Sequence, residues 1–423
     1  MFFFRGSALK VSGSVAGRNA GLARLLNFAI EYCYNKSEII KNMPYKKYLI
    51  FILAVAIGYI SLVGFLGNEG NELIQKGVTA DVILRKNFLV RTLGISSLPQ
   101  IFSEISDPQQ KGEYALVTYA MATYALTNIA MMEPRMKQEF SDSIAKWIPL
   151  VTTEDLYAFD QIAWGENPLD ETVLKKDRGH IGYYGHLNLM LGAYALLNND
   201  GKFAELHKKV TEAITLRMEK NQYRHVETYP NEVYPPDNTV AVASLRVADE
   251  TSGTDHSKVI NEWLEQTKKV EDPTSGLVVF QIDVQTGKPI QTYRGSNISW
   301  NSFFLPLIDQ KYATEQFKKI KKKMIVQVPG FAAVREYPDL TLFGGDRDSG
   351  PVLFGLSPSA TGFAVAGARN TNDGALLSSL LRSIELAGIT VTKSYERHYL
   401  SAPIVSDAIM LAMKTTHSWK PLW

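Results

Sequence analysis

The sequence predicts an all-α fold: an (α/α)6 toroid of six helical hairpins with long loops and one small β-hairpin, preceded by a single N-terminal transmembrane helix. Three observations predict it. An uncharged apolar run lies near the N-terminus, six apolar helical segments recur along the remainder, and a more amphipathic segment follows most of them. With 423 residues, 45% of them apolar, the chain can bury a sizeable core.

Residues 1–47 carry Arg5, Lys10, Arg18, Arg24, Lys36, Lys41, Lys46 and Lys47 against Glu31 and Glu38, a net of +6; because the whole chain totals +2, the rest carries −4. A mildly acidic body without a dense Lys/Arg face excludes nucleic acid as the main partner, since phosphate binding needs clustered positive charge. The one basic run, Lys318 to Lys323, has helical spacing and reads as a solvated outer face. Tyr48–Leu66 contains no charge and has close to the ~20 residues needed to cross a bilayer core. Lys41, Lys46 and Lys47 precede it, while Glu69 and Glu72 follow. The positive-inside bias therefore predicts a poorly ordered cytoplasmic segment (1–47), a membrane anchor (48–66) and an extracytoplasmic, periplasmic body (67–423). No small-residue cleavage site follows the run, so a retained anchor is expected over a removed signal. Met43 resembles a natural signal-type start, which would make residues 1–42 an extension. Cys33, the sole cysteine, lies upstream of the anchor, so the body has no disulfide, thiolate nucleophile or cysteine-based zinc site.

Within the body the apolar segments are Tyr114–Met132, His180–Leu197, Asn238–Ala248, Ile298–Ile308, Ser359–Ala368 and Pro403–Met413. Their regular recurrence points to repeated supersecondary units. Amphipathic partners follow at Pro134–Trp147, Lys202–Lys220, Ser257–Val270, Lys311–Lys323 and Asp373–Ala387. A helix apolar on nearly all sides must be buried, and one with a charged face must border water, so the alternation predicts an inner ring wrapped by an outer one. Val78–Leu93 is the expected outer partner of the last inner helix. Small residues at Ala122, Gly192, Ala241, Gly362, Ala364 and Gly367 favour closure over an open solenoid by letting helices approach. The long connections Thr152–Gly179, Tyr223–Asp237, Pro273–Asn297 and Gly330–Pro358 lead into inner-helix N-termini and should gather on one face; such lengths are usually functional. Leu277–Gln281 and Pro289–Thr292, across Thr286–Gly287, read as the hairpin.

Candidate chemistry gathers at those helix heads. In the run Arg178 to His186, His186 is the candidate catalytic residue, and His180 and Tyr184 are candidate substrate contacts; a hydrogen-bonded core histidine is the competing reading. In Tyr223 to Asn238, Glu227, Tyr229, Glu232 and Tyr234 crowd Asp237 and Asn238, which stand where an N-cap belongs. Carboxylates and phenols gathered in a cleft can be driven apart in pKa, which gives Asp237 a catalytic assignment and its neighbours a binding one. The glycine-rich run Phe343 to Gly355 presents Asp346 and Asp348 as further catalytic candidates. Its Asp-x-Asp pattern lacks the later Glu of a calcium loop, so no metal is expected, and Ser349 lacks the strand-to-helix setting of a nucleophile elbow. Arg294 and Trp300 head the fourth inner helix as binding candidates, and Glu396 to Tyr399 supplies polar groups at the last.

The order Pro230-Asn231, Tyr234, Asp237-Asn238, with Tyr183-x-Gly185-His186-Leu187 upstream, resembles the linalool dehydratase/isomerase family. The resemblance implies a helical toroid whose funnel holds one histidine and two cysteines nine residues apart, adding or removing water at an allylic alcohol without a cofactor. It carries the histidine onto His186 and the cysteines onto Thr228 and Asp237, so this chain departs from the family at both cysteine positions. The leading expectation is a cofactor-independent lyase, hydratase or isomerase acting on a small molecule. A glycan-active hydrolase or epimerase and a non-catalytic binding protein are the alternatives, and a homo-oligomer stays open.

Overall fold

A computed structural model of the chain describes residues 45–95, 102, 105–339 and 341–423. Most of the expected cytoplasmic segment, Cys33 included, lies outside these residues. Contacts divide the chain into two units, Met1–Phe65 and Leu66–Trp423. The first contributes helix α1 (Tyr45–Phe65). The stretch Ile50–Lys76 is long and apolar enough to cross a membrane, and its apolar window is unburied; Pro108–Met132 passes the same test, but its window is mostly buried in the body.

The second unit is mostly helical. It opens with α2 (Glu69–Lys76), α3 (Ala80–Ile95), α4 (Pro108–Met132), α5 (Lys137–Val151), α6 (Glu154–Trp164), α7 (Glu171–Leu174), α8 (Ile181–Leu197) and α9 (Ala204–Lys220). Then come α10 (Pro235–Ser252), α11 (Ser257–Lys269), β1 (Gln281–Ile282), β2 (Pro289–Gln291), α12 (Gly295–Ile308) and α13 (Gln310–Lys323). Strands β3 (Ile325–Val328), β4 (Phe331–Arg335), β5 (Phe343–Gly344), β6 (Val352–Leu353) and β7 (Leu356–Ser357) precede α14 (Pro358–Asn370) and α15 (Gly374–Gly388). Strands β8 (Thr390–Lys393) and β9 (Glu396–Tyr399) and helix α16 (Ile404–Thr415) complete it.

The apolar segments become α4, α8, α10, α12, α14 and α16, and nearly every residue of α4 from Ala115 onward and of α8 is buried. Each packs on the next in chain order, and α16 packs back on α4. The amphipathic segments lie against them: α5 on α4 and α8, α9 on α8 and α10, α11 on α10, α13 on α12 and α14, α15 on α14. Helix α3 packs on α16, in the place expected for Val78–Leu93. The burial split follows composition: α11 buries Val259, Ile260, Trp263, Leu264 and Thr267 on one stripe and turns its Lys and Glu residues outward.

Glycines do set close approaches, though not always between buried helices. A Cβ on Gly192 would come within 2.7 Å of Val247 on α10, whereas one on Gly367 would stand 2.1 Å from the Phe317 ring of α13. Gly367 thus seats a bulky side chain of an outer helix. Gly367→Ala is expected to cost about 1–3 kcal/mol through overpacking, read as a lowered midpoint in thermal or urea unfolding.

The connections hold more strand than the sequence suggests. Of the expected hairpin strands only Gln281 and Pro289–Gln291 pair, with Ile282 added beyond the first, and the chain also forms a five-stranded sheet in the order β3-β4-β7-β6-β5 and the hairpin β8-β9. Thr152–Gly179, expected as a connection, contains α6 and α7. The segments meet one another near the heads of the buried helices: Val233 bridges to Ile282, Trp164 Nε1 donates to the Thr228 carbonyl at 3.1 Å, and Tyr114 Oη to the Arg347 carbonyl at 3.3 Å.

Candidate active site

Asp237 is not the N-cap of α10. Tyr234 takes that position, Pro235 and Pro236 open the helix, and Asp237 falls in its first turn. Its carboxylate therefore accepts from no capping backbone N–H; it accepts from Thr228 Oγ1 at 2.6 Å. The two positions onto which the resemblance carried a cysteine pair are in direct contact. Gly182 on α8 makes room for them, since a Cβ there would lie 3.0 Å from Thr228 Cγ2 and 3.7 Å from Asp237 Oδ2. Asp237 stands deep among protein atoms yet keeps some accessible surface. Burial pushes its carboxyl up to about 7; Thr228 opposes this shift, and the charges of Asp348 and Glu113 add to it.

Glu113 belongs to the head of α4, where Tyr229 Oη donates to its Oε1 and Gln109 Nε2 to the same atom at 3.3 Å. Its carboxyl is raised, first by burial and then by Asp348, against the pull of Tyr229 and Arg347. Asp348 is raised by burial and by Asp346. Among the described residues its carboxylate has no hydrogen-bond partner. Glu113, Asp237 and Asp348 thus form one electrostatically linked group supplied by α4, α10 and the β5–β6 loop. Arg347 approaches Glu113 at 3.6 Å and Asp107 at 3.8 Å, which pins that loop to the head of α4.

Asp346, expected to be catalytic, is held by Arg294 and by its own loop. Arg294 Nη1 and Nη2 contact its two oxygens at 2.7 and 2.9 Å, and the backbone amides of Asp348 and Ser349 donate to Oδ1. Burial alone would raise this carboxyl, but the Arg294 pair outweighs it and holds Asp346 below the usual range. Arg294 is committed in turn, binding Glu336 at 2.8 Å through Nε.

His180 and Tyr184, expected to contact substrate, are likewise held by protein partners. His180 caps α8 in the left-handed region (φ 64), with Nδ1 2.6 Å from Asp160 and Nε2 3.3 Å from Glu166. Both ring nitrogens are occupied. Tyr184 Oη donates to the Pro168 carbonyl at 2.6 Å, under the Arg217 guanidinium. Asn238 is fully buried and joins two segments: Val226 N donates to Oδ1 at 2.7 Å, while Nδ2 donates to the carbonyls of Val226 and Tyr234 at 2.9 and 3.0 Å. Asn238→Ala would orphan the Val226 amide and is expected to cost about 1–3 kcal/mol, visible as a lowered thermal midpoint. Glu227 accepts from Asn231 N at 3.1 Å and Glu232 from Tyr234 Oη at 2.8 Å, so these remain rim residues.

His186 lies four residues beyond Gly182, about 6 Å along the helix axis. It is buried against Tyr124, Trp300 and Phe304, and Trp300 in turn meets Phe363. Tyr124 Oη lies 3.0 Å from Nδ1 and 3.3 Å from the His186 carbonyl. Burial pulls the imidazole down to about 4, so it is neutral near pH 7. Acidic groups thus occupy the helix heads, and an aromatic layer holding a neutral histidine lies a turn deeper. A shallow surface depression lies elsewhere, against Ser302, Pro306, Phe317 and Gly367, with no ionisable side chain in its lining.

Sequence reading missed Glu113, Tyr124 and Arg347. A lone acid directly before the apolar run of α4 was the available signal for Glu113, whereas Tyr124 sits within that run like any core residue.

These features define a mostly helical protein with a carboxylate group over an aromatic layer. The linalool dehydratase/isomerase family matches residues 202–394, and the resemblance carried by Pro230 to Asn238 is shown over that stretch. Among solved structures, the chain is similar to a family 76 glycoside hydrolase from a bovine Bacteroides thetaiotaomicron strain: 11% identity, 73% of this chain and 68% of that chain covered, TM-score 0.37. A likeness of that degree carries no argument about fold or reaction.

Proposed function

We propose that the body is an (α/α)6 toroid, tethered on the extracytoplasmic side by α1, and that it is a cofactor-independent acid/base enzyme of linalool dehydratase/isomerase-like type. The observation that carries this reading is the Thr228–Asp237 contact at 2.6 Å, with Asp237 deep in the acidic group and its carboxyl near 7. A general acid works best when its pKa lies near the working pH. Protonated Asp237 gives its proton to a substrate hydroxyl, and the C–O bond breaks as water leaves. A neighbouring base then takes a proton from the adjoining carbon to form the alkene. The Asp348 carboxylate within this group and neutral His186 in the aromatic layer below it are the bases we assign. Isomerisation uses the same departure, with water returning to the other end of the allyl system. Trp300 and Phe304 supply an apolar surface for the hydrocarbon part. The three linked carboxylates also support the alternative of a glycan-active hydrolase, which needs two of them in opposite protonation states.

The test is a turnover screen of the full chain in detergent against allylic terpenols and oligosaccharides, with Asp237→Asn beside it. Turnover of a terpenol that the variant loses supports the lyase/isomerase reading; turnover of an oligosaccharide moves the assignment to the alternative. Activity untouched by the variant removes Asp237 from the mechanism.

A further inference from the structure

We propose that the end of the body reached by the N-termini of its buried helices is a lipid-contact surface that rests on the bilayer. This goes beyond the acid/base reading and does not need it; it rests only on the tether. The first observation is where the apolar exposure lies. Among the described residues of the body, every exposed large apolar side chain except Trp423 falls in one type of segment: the connection from an outer helix to the next buried helix, or the last turn of that outer helix. Tyr395 is 80% exposed, Phe354 73% and Leu400 66%. The connections at the opposite end, such as Asn198–Phe203 and Gly253–His256, expose none.

Apolar exposure gathered, Trp423 apart, at one end, with tyrosine and phenylalanine prominent, suits the boundary between water and lipid. Phe343 and Phe354, whose ring centroids are 5.5 Å apart, flank the same β5–β6 hairpin that carries Asp348. A second observation names the partner. The body's first residues lie at this end: Arg382 Nε donates to the Gly67 carbonyl at 2.8 Å and its Nη1 to the Gly330 carbonyl at 2.5 Å, and Gly330 is the turn between β3 and β4. The polypeptide that enters there comes from α1, whose run from Tyr48 to Phe65 carries no charge. A bilayer is thus the partner the chain itself brings to this surface.

The experiment uses the full chain carrying Cys33→Ser, with one new cysteine at Phe354→Cys, Leu400→Cys or, as the far-end control, Asn199→Cys. Each is labelled with bimane and reconstituted in phosphatidylcholine/phosphatidylglycerol vesicles with and without nitroxide lipids. Emission at positions 354 and 400 is expected to fall at least about twofold with nitroxide lipid, and emission at 199 to stay unchanged. Unquenched labels at 354 and 400 in chains that float with the vesicles would overturn the proposal, whether water or a second copy covers them. Quenching at 199 as strong as at 354 would do so too. Chains that fail to float remove the tether and this surface together, a result that leaves the turnover screen free to decide the reaction.

Discussion

Exchanging Asp237 for asparagine is expected to lower turnover by about 10²–10⁴-fold and, above pH 7, to make the protein more stable. The loss follows from removing the one acid held near 7 and bonded to Thr228. The gain follows from the same burial. The folded carboxyl stands near 7 against an ordinary 3.8, so between those values the native state binds more protons than the unfolded chain. Wild-type stability attributable to this group therefore falls as pH rises from about 4 through 7. Asparagine has no charge to strip of water. The difference in thermal midpoint between variant and wild type should be small near pH 4.5, should grow with pH and should level off above 7. Measuring the two proteins in parallel cancels the buried histidines His186, His207 and His225, whose lowered values act in the opposite direction between about 4 and 6.5. A midpoint difference independent of pH would show that the carboxylate is well solvated, and the proposed acid would lose its basis.

That residue was legible in the sequence because its surroundings are local. Thr228 and Asp237 lie nine positions apart on one approach to one helix, and the crowding of acids and phenols there is visible in a single line of sequence. The buried helices were legible for a related reason, since an apolar run such as that of α8 has no face that water could occupy. Assigning a job to each acid was harder. Asp346 and Asp348 look alike in sequence, and only the approach of Arg294 from another helix makes the first a fastener while the second keeps an open carboxylate. The five-stranded sheet stayed hidden because its strands are two to five residues long, too short for alternation to register. Glu113 was lost to a boundary: the apolar run starts at Tyr114, one residue after it.

The contacts holding α16 to the start of the body were beyond any local reading, and the second large effect is expected there. Lys414→Met should destabilise the protein by about 3–5 kcal/mol. Lys414 on α16 is fully buried, and its Nζ lies 2.9 Å from both Glu69 oxygens, 2.5 Å from Asp81 and 3.7 Å from Glu385. Those three carboxylates converge closely enough to hold a cation, and the ammonium is that cation. Arg85 completes the cluster, reaching Asp81 at 3.0 Å, Glu385 at 2.6 Å and Asp407 at 3.4 Å across the Tyr399 ring. The cluster ties α2, α3, α15, β9 and α16 together, joining residues 345 positions apart. Methionine fills a similar volume but leaves buried carboxylates facing one another. Glu69→Gln should be far milder, because burial already disfavours the ionised Glu69 and raises it to about 7. Adding Glu69→Gln to Lys414→Met should recover part of the loss, since it removes one of the repelling charges. Urea unfolding of the two single variants and the double variant at pH 8 tests this. A Lys414→Met cost below about 1 kcal/mol, the range of a surface pair, would mean that water reaches the cluster and that α16 is held by its apolar face alone.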